Sequence, residues 1–170
     1  MLAPLVSLLV GVVAAGPQVS TPALLKEMFH ASERVTYVEL SAQAVTEATG
    51  QQHGRVFVYV AYTKGAIDGF AVVDDEKGMH EPITLGVQVD PQGRIARVAV
   101  LAYREAYGGE IRDPRFLQQF NGKTLANALS PGVDVDAISG ATISSRSVAT
   151  MARRALVLCA LAQQRLGAGT

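Results

Sequence analysis

The apolar positions of this chain first recur at helical spacing, then alternate or run together as in strands, then return to helical spacing up to the C-terminus. Leu24, Leu25, Met28 and Phe29 form a stripe behind Thr21-Pro22, a cap followed by the residue that suits a first helical position. This predicts a short helix over about residues 22–32. Residues 35–40 have strand character, and the polar stretch 42–54 is ambiguous in register. From residue 56 the pattern is that of a sheet: 56–62, 70–73, 83–89 and 94–103 are rich in β-branched and aromatic residues. Lys64-Gly65, Asp68-Gly69, the acidic run 74–78 and Asp90-Pro91-Gln92-Gly93 supply turn signals between them. Asp113-Pro114 opens a short helix through Phe120 that buries Phe116, Leu117 and Phe120, and 123–129 reads as a further helical turn. A long helix is expected over 144–166. Val148, Met151, Ala152, Ala155, Leu158, Cys159 and Ala162 lie on one stripe, with Arg146, Arg153 and Arg154 away from its centre and Gly167 as the stop. Strands in succession followed by helices predict an α+β fold: an antiparallel sheet with N-terminal, connecting and long C-terminal helices in a single domain.

Composition narrows this only a little. The 170 residues suffice for one domain with a real core. Lys+Arg and Asp+Glu number 15 each, so no basic field favours nucleic acid. Cys159, the single cysteine, sits in an apolar helical run and is expected to be a buried, unreactive thiol. His30, His53 and His80 are scattered without ligand spacing, and no metal site is expected. Residues 1–25 carry no charged side chain, and 2–15 are almost wholly apolar, ending in small residues at 13–15. Residues 1–20 are therefore expected to be a secretory signal peptide or an N-terminal anchor, although the run is shorter than the ~20 residues of a spanning helix. Residues 21–170 make the domain.

Chemistry concentrates in Asp136-Ala137-Ile138-Ser139-Gly140-Ala141-Thr142-Ile143-Ser144-Ser145. Gly140 and Ala141 let another molecule approach the main chain, and the hydroxyls beyond can cap the helix. The first helical turn offers unpaired N–H groups and the positive end of the helix dipole, which suit a phosphate. On the residues alone, a plain turn with a cap stands beside an anion site. A second dense stretch, 103–112, leaves the last strand: Tyr103 and Tyr107 offer rings and hydroxyls, Glu105 a hydrogen-bond acceptor, and Gly108-Gly109 a close approach. A solvated loop with an ion pair would look the same. Arg146, in the first turn of the long helix, is either a partner for a phosphate or a solvated charge.

The 136–145 stretch resembles the flavinylation motif of FMN-binding domains, an acidic residue followed by Ser/Thr-Gly-Ala-Thr. The family includes the G subunit of Rnf-type electron-transport complexes, the C subunit of the sodium-pumping NADH:quinone reductase, and the flavin domains of nitrous-oxide-reductase regulators. Glu105 with its Gly loop, Gln119-Phe120-Asn121-Gly122-Lys123 and Ser139-Gly140-Ala141-Thr142 follow in the family's order, so the resemblance spans about residues 65–160. The loop after Glu105 is Ala-Tyr-Gly-Gly, where the Rnf and sodium-pump subunits have Thr-Pro-Gly-Leu-Gly. The resemblance implies FMN bound covalently, through a phosphoester, to Thr142. It gives Ser139, Gly140, Ala141, Asp136, Ser144 and Glu105 as the cofactor-binding neighbourhood. It also implies a separate flavin transferase that uses FAD, and work outside the cytoplasm, in the periplasm or on the outer face of the cytoplasmic membrane.

The expected function is that of an electron carrier between a membrane-bound donor and a redox acceptor, rather than a complete enzyme. No strand-linked Gly-x-Gly-x-x-Gly marks a nicotinamide site, and no His or Lys neighbours Thr142 in sequence to activate it. The alternative is a non-redox binding or assembly module that keeps the fold without flavin. A hydrolase built on Thr142 or a neighbouring serine would need a His–Asp pair that the sequence does not place nearby.

Overall fold

A computed structural model of the chain describes residues 19–167. The proposed signal or anchor lies almost wholly outside the described residues. In order come α1 (Thr21–Met28), β1 (Arg34–Leu40), α2 (Ala42–Thr49), β2 (Val56–Thr63), β3 (Ala66–Lys77), β4 (Pro82–Val89) and β5 (Ile95–Tyr103). A 3-10 turn (Gly109–Arg112), α3 (Pro114–Gln118) and α4 (Thr142–Gly167) follow. The five strands make one antiparallel sheet in sequence order, β1-β2-β3-β4-β5. The α+β architecture expected from the strand-then-helix order is the one observed.

Alternation along the strands divides the core between the two sheet faces. Val58, Val60, Phe70, Val72, Leu85 and Val87 turn toward α4, whose Val148, Met151, Ala152, Ala155 and Leu158 complete the main cluster. The opposite face carries the small residues Ala61, Ala71 and Ala99 beside Leu101, and α1 lays Leu24, Met28 and Phe29 across it. Gly86 belongs to this economy of space. A Cβ there would collide with Leu24 Cδ2, so the glycine is what lets α1 settle on the sheet. Cys159 is buried on α4, and burial pushes its thiol well above the ordinary range.

Several boundaries differ from the sequence reading. Ser20, not Thr21, caps α1, accepting from the Ala23 N–H, and Pro22 falls within the first turn. Residues 42–54 hold a helix after all: Ser41 caps α2, and Gly50 closes it in the left-handed conformation. The acidic run does not end its strand. β3 continues through Asp74, Asp75, Glu76 and Lys77, paired with Leu85, Thr84, Ile83 and Pro82 of β4. Asp68-Gly69 lies inside β3 next to an irregularity of register, while Lys64 and Gly65, both at positive φ, make the hairpin turn. Residues 123–129 are not helical. Their main chain is claimed by Ile95, whose N–H donates to the Lys123 carbonyl, and by the Asn127 side chain, which accepts from the Thr124 N–H. Arg154, expected away from the buried stripe, is only 5% exposed. It reaches β3, where Asp74 accepts from it at 2.7 Å and Glu76 completes a second ion pair. No helix among the described residues is long and apolar enough to cross a membrane.

Candidate functional site

The antiparallel order brings two distant turns together. Ile83, near the start of β4, pairs with Tyr103, the last residue of β5. The residues just before β4 therefore lie beside those just after β5. Glu105 Oε1 accepts the backbone N–H of His80 at 2.7 Å and that of Glu81 at 3.1 Å. Burial alone would raise the Glu105 pKa. The N–H groups of His80, Glu81 and Met79, with the His80 ring, outweigh it and hold the carboxyl below the ordinary range. Gly78 closes the same turn, donating its N–H to the Glu81 carbonyl at 3.0 Å. A side chain is not tolerated there, because a Cβ would stand 2.7 Å from the Glu81 carbonyl oxygen as well as 2.5 Å from Glu105 Oε1.

The approach to α4 is built by short, local bonds. Asp134 accepts from the N–H groups of Leu129 and Ser130 and from Lys123 Nζ at 3.3 Å. The Ser130 N–H above all keeps its carboxylate ionised below the usual range. Gln119 Oε1 accepts the Asp136 N–H at 2.8 Å, which fixes the chain as it enters the motif. Gly140 sits at a φ of 78°, the left-handed turn that a glycine permits. The first intrahelical bond of α4 runs from the Ser145 N–H to the Ala141 carbonyl. The Ser145 hydroxyl, buried, donates to that carbonyl and accepts the Ile138 N–H at 3.3 Å. Ser145 thus locks the turn, and the N–H groups of Thr142, Ile143 and Ser144 stand ahead of the first helical bond.

The two turns face one cavity of about 390 Å³. Met79, His80, Glu105, Ala106 and Tyr107 line one wall, and Gly140, Ala141, Thr142, Ile143 and Ser144 the other. Tyr103 ties the walls together: its buried hydroxyl donates to the Tyr107 carbonyl and lies 3.3 Å from the Ser144 hydroxyl. Burial pushes its phenol above the ordinary pKa, against the pull of the Ser144 hydrogen bond, so it keeps its proton. Gly108, at a φ of 82°, presses against both parts. A Cβ there would lie 2.7 Å from the Tyr103 oxygen and 3.0 Å from Ala141 Cβ.

Thr142, the first residue of α4, is exposed, and its hydroxyl makes no hydrogen bond with any described residue. Of the residues singled out in the sequence, Thr142, Gly140, Ala141, Ser144 and Glu105 meet at the cavity. Asp136 and Ser139 are exposed on the approach and do not line it. Arg146 is not in the lining either. Met79 and His80 were missed, and Ile143 was read only as part of the motif. Met79 is 61% exposed, Tyr107 87% and Ile143 46%, so the rim is apolar and open. The β4–β5 pairing held the signal for the first two, since it places residues 79–81 next to Glu105. His80 also supplies the histidine that sequence neighbours of Thr142 lack, although no hydrogen bond joins the two. His53 and Asp74 do pair, at 3.0 Å, but neither lines this cavity.

A cavity of this size falls within the range of small-ligand sites. With an apolar rim, a free hydroxyl and unpaired N–H groups at a helix start, it can hold a flat apolar body carrying a phosphate. Residues 78–157 match the family model of the FMN-binding domain. That segment opens at the Gly78 turn and runs into α4, so it takes in both walls. The fold is similar to that in the crystal structure of Shewanella oneidensis NqrC, with a TM-score of 0.62 and 18% identity, over 86% of this chain and 89% of that one. No curated protein matches the chain.

Proposed function

We propose that this chain, which carries the FMN-binding domain over residues 78–157, is an electron carrier that holds FMN through a phosphoester to Thr142. The observation that carries the reading is Thr142 itself: an exposed hydroxyl, without a hydrogen bond to any described residue, on the first residue of α4, in the wall of a ligand-sized cavity. The residues present fit the group. Gly140, where nothing stands near a Cβ position, and the small Ala141 leave space, and the start of α4 suits a phosphate. FMN bound there supplies exchange of one or two electrons.

The chain's own residues hold and screen. Met79, Tyr107 and Ile143 offer apolar surface against which a flat ring can pack. Glu105 fixes the wall that bears Met79 and His80 by holding their turn. The Tyr103–Ser144 contact keeps that wall in register with the helix that bears Thr142. An unassisted threonine hydroxyl is a weak nucleophile. No described residue bonds to the Thr142 hydroxyl to activate it, which supports attachment by a separate flavin transferase drawing on FAD. Asp136 and Ser139, exposed before the helix, are suited to recognition by that transferase, with Gly140 and Ala141. The apolar run of residues 2–15 supports an extracytoplasmic location, and a tether would prevent loss of a cofactor that cannot be replaced there. The partners of this reading are a membrane-bound donor and a redox acceptor.

The test is flavin fluorescence in a denaturing gel, with intact mass, on the chain exported together with a flavin transferase. A fluorescent band with one added FMN phosphoester, absent from Thr142→Val, is expected. A dark, unmodified wild-type band, with the transferase active on a control, would replace this reading with the non-redox binding module. Denaturation-resistant flavin on Thr142→Val would move the tether elsewhere.

A further inference from the structure

A second cavity, of about 510 Å³, lies further along α4 and has a different chemistry. Arg146, Thr150, Arg153 and Arg154 of α4 line it, with Ser130 from the loop before the motif and Gln51 after α2; no Asp or Glu does. Arg146 and Arg153 are seven residues apart, two turns on one helix face. Arg146 makes no ion pair or side-chain hydrogen bond with any described residue. Arg153 donates only to the Asn127 carbonyl, at 3.2 Å. Arg154 spends its terminal nitrogens on Asp74, Glu76 and Gln51, yet its Nε is buried with no acceptor. The Ser130 and Thr150 hydroxyls have no hydrogen-bond partner among the described residues either. The Ser130 side is held rigid, since Asp134 binds its N–H and is itself paired with Lys123.

We infer that this cavity binds a phosphate-bearing anion between Arg146, Arg153 and Ser130. Two guanidinium groups without counter-charge offer the planar forks that match phosphate oxygens. The Ser130 and Thr150 hydroxyls provide further donors in the same wall. The site is independent of the flavin reading, because Thr142 does not line it. The phosphate can belong to a soluble ester or to a lipid headgroup.

Calorimetric titration of the full chain with inorganic phosphate and with AMP, and co-sedimentation with vesicles, would test this. The vesicles would be phosphatidylglycerol in phosphatidylcholine, against phosphatidylcholine alone. Saturable phosphate or vesicle binding is expected in wild type and, equally, in Thr142→Val. It should weaken roughly tenfold or more in Arg146→Gln/Arg153→Gln and persist in Arg55→Gln/Arg97→Gln, which removes the same charge elsewhere. Retention on phosphatidylglycerol vesicles assigns the headgroup; soluble phosphate or AMP binding without it assigns the free ester. No saturable binding to any of the three, or equal loss in both double variants, would overturn the site. Because Arg146 and Arg153 are exposed, their replacement leaves the core untouched, and an unchanged melting temperature would verify that.

Discussion

The hydroxyl of Tyr103, at the end of β5, lies 3.3 Å from the hydroxyl of Ser144 in the first turn of α4. The same phenol donates to the Tyr107 carbonyl. One buried group therefore joins the sheet, the loop after it and the helix that presents Thr142. Tyr103→Phe would keep the ring and its packing beneath Arg112 but leave the carbonyl and the serine without this partner. The expected cost is about 1–2 kcal/mol, read as a lower midpoint in urea denaturation with unchanged slope. Thr142→Val removes a hydroxyl that bonds to no described residue, and should stay within about 0.5 kcal/mol of wild type. Equal stability of Tyr103→Phe and wild type would mean that the phenol does not join the walls.

Gly108 meets that joint at its tightest point. Its φ of 82° is costly for any residue with a Cβ, and the Cβ itself would press on the Tyr103 oxygen and on Ala141. Gly108→Ala is expected to destabilise by about 1–3 kcal/mol and to speed amide exchange at the start of α4. Gly132, also at positive φ but with nothing near a Cβ, isolates the backbone part of the effect. If Gly108→Ala and Gly132→Ala cost the same, the contact with Tyr103 and Ala141 contributes nothing.

Glu105 gives the cavity a pH dependence. Its carboxyl is held below the ordinary carboxylate range in the folded chain. A depressed folded pKa means that its stabilisation is complete above the unfolded pKa and is lost as pH falls through the lower folded value. Slow exchange of the His80 and Glu81 amides should therefore persist at neutral pH and fail on acidification through that window. Glu105→Gln should show faster exchange at both amides already at neutral pH, with little further change toward acid. Amide exchange indifferent to the substitution would show that the hydrogen bonds do not hold the turn.

The strands and the long helix were legible because Val58, Val60, Phe70, Val72, Leu85 and Val87 repeat every second position, while Val148, Met151, Ala155 and Leu158 follow a helical period. What escaped depends on partners far away in sequence. The acidic end of β3 looks like a turn until Arg154, from α4, accounts for Asp74 and Glu76, and Asp75 accepts from Thr84 at 2.5 Å. Residues 123–129 look helical until Ile95 and Asn127 take their main-chain groups. At the site, Thr142 and its neighbours stand out as a contiguous run. Met79 and His80 carry no local mark and acquire their position only through the Ile83–Tyr103 register and the Glu105 bonds.

Arg154 tests the largest of these misreadings. Its side chain is 5% exposed, as is consistent with its place between α4 and β3, and the Asp74 side chain facing it is 9% exposed. Removing the guanidinium leaves the Asp74 and Glu76 carboxylates without their shared cation in a partly dry space, and the His53 ring remains as a counterpart only for Asp74. Arg154→Met is expected to cost about 3 kcal/mol, at the lower end for a broken buried pair, because Glu76 at 28% exposure is partly solvated. Replacing all three groups, as Arg154→Met/Asp74→Asn/Glu76→Gln, removes the uncompensated charge and should restore much of that loss. Urea denaturation of the two variants decides the matter. Recovery in the triple variant assigns the cost to stranded charge, whereas equal instability of both assigns it to lost packing of the arginine stem under α4.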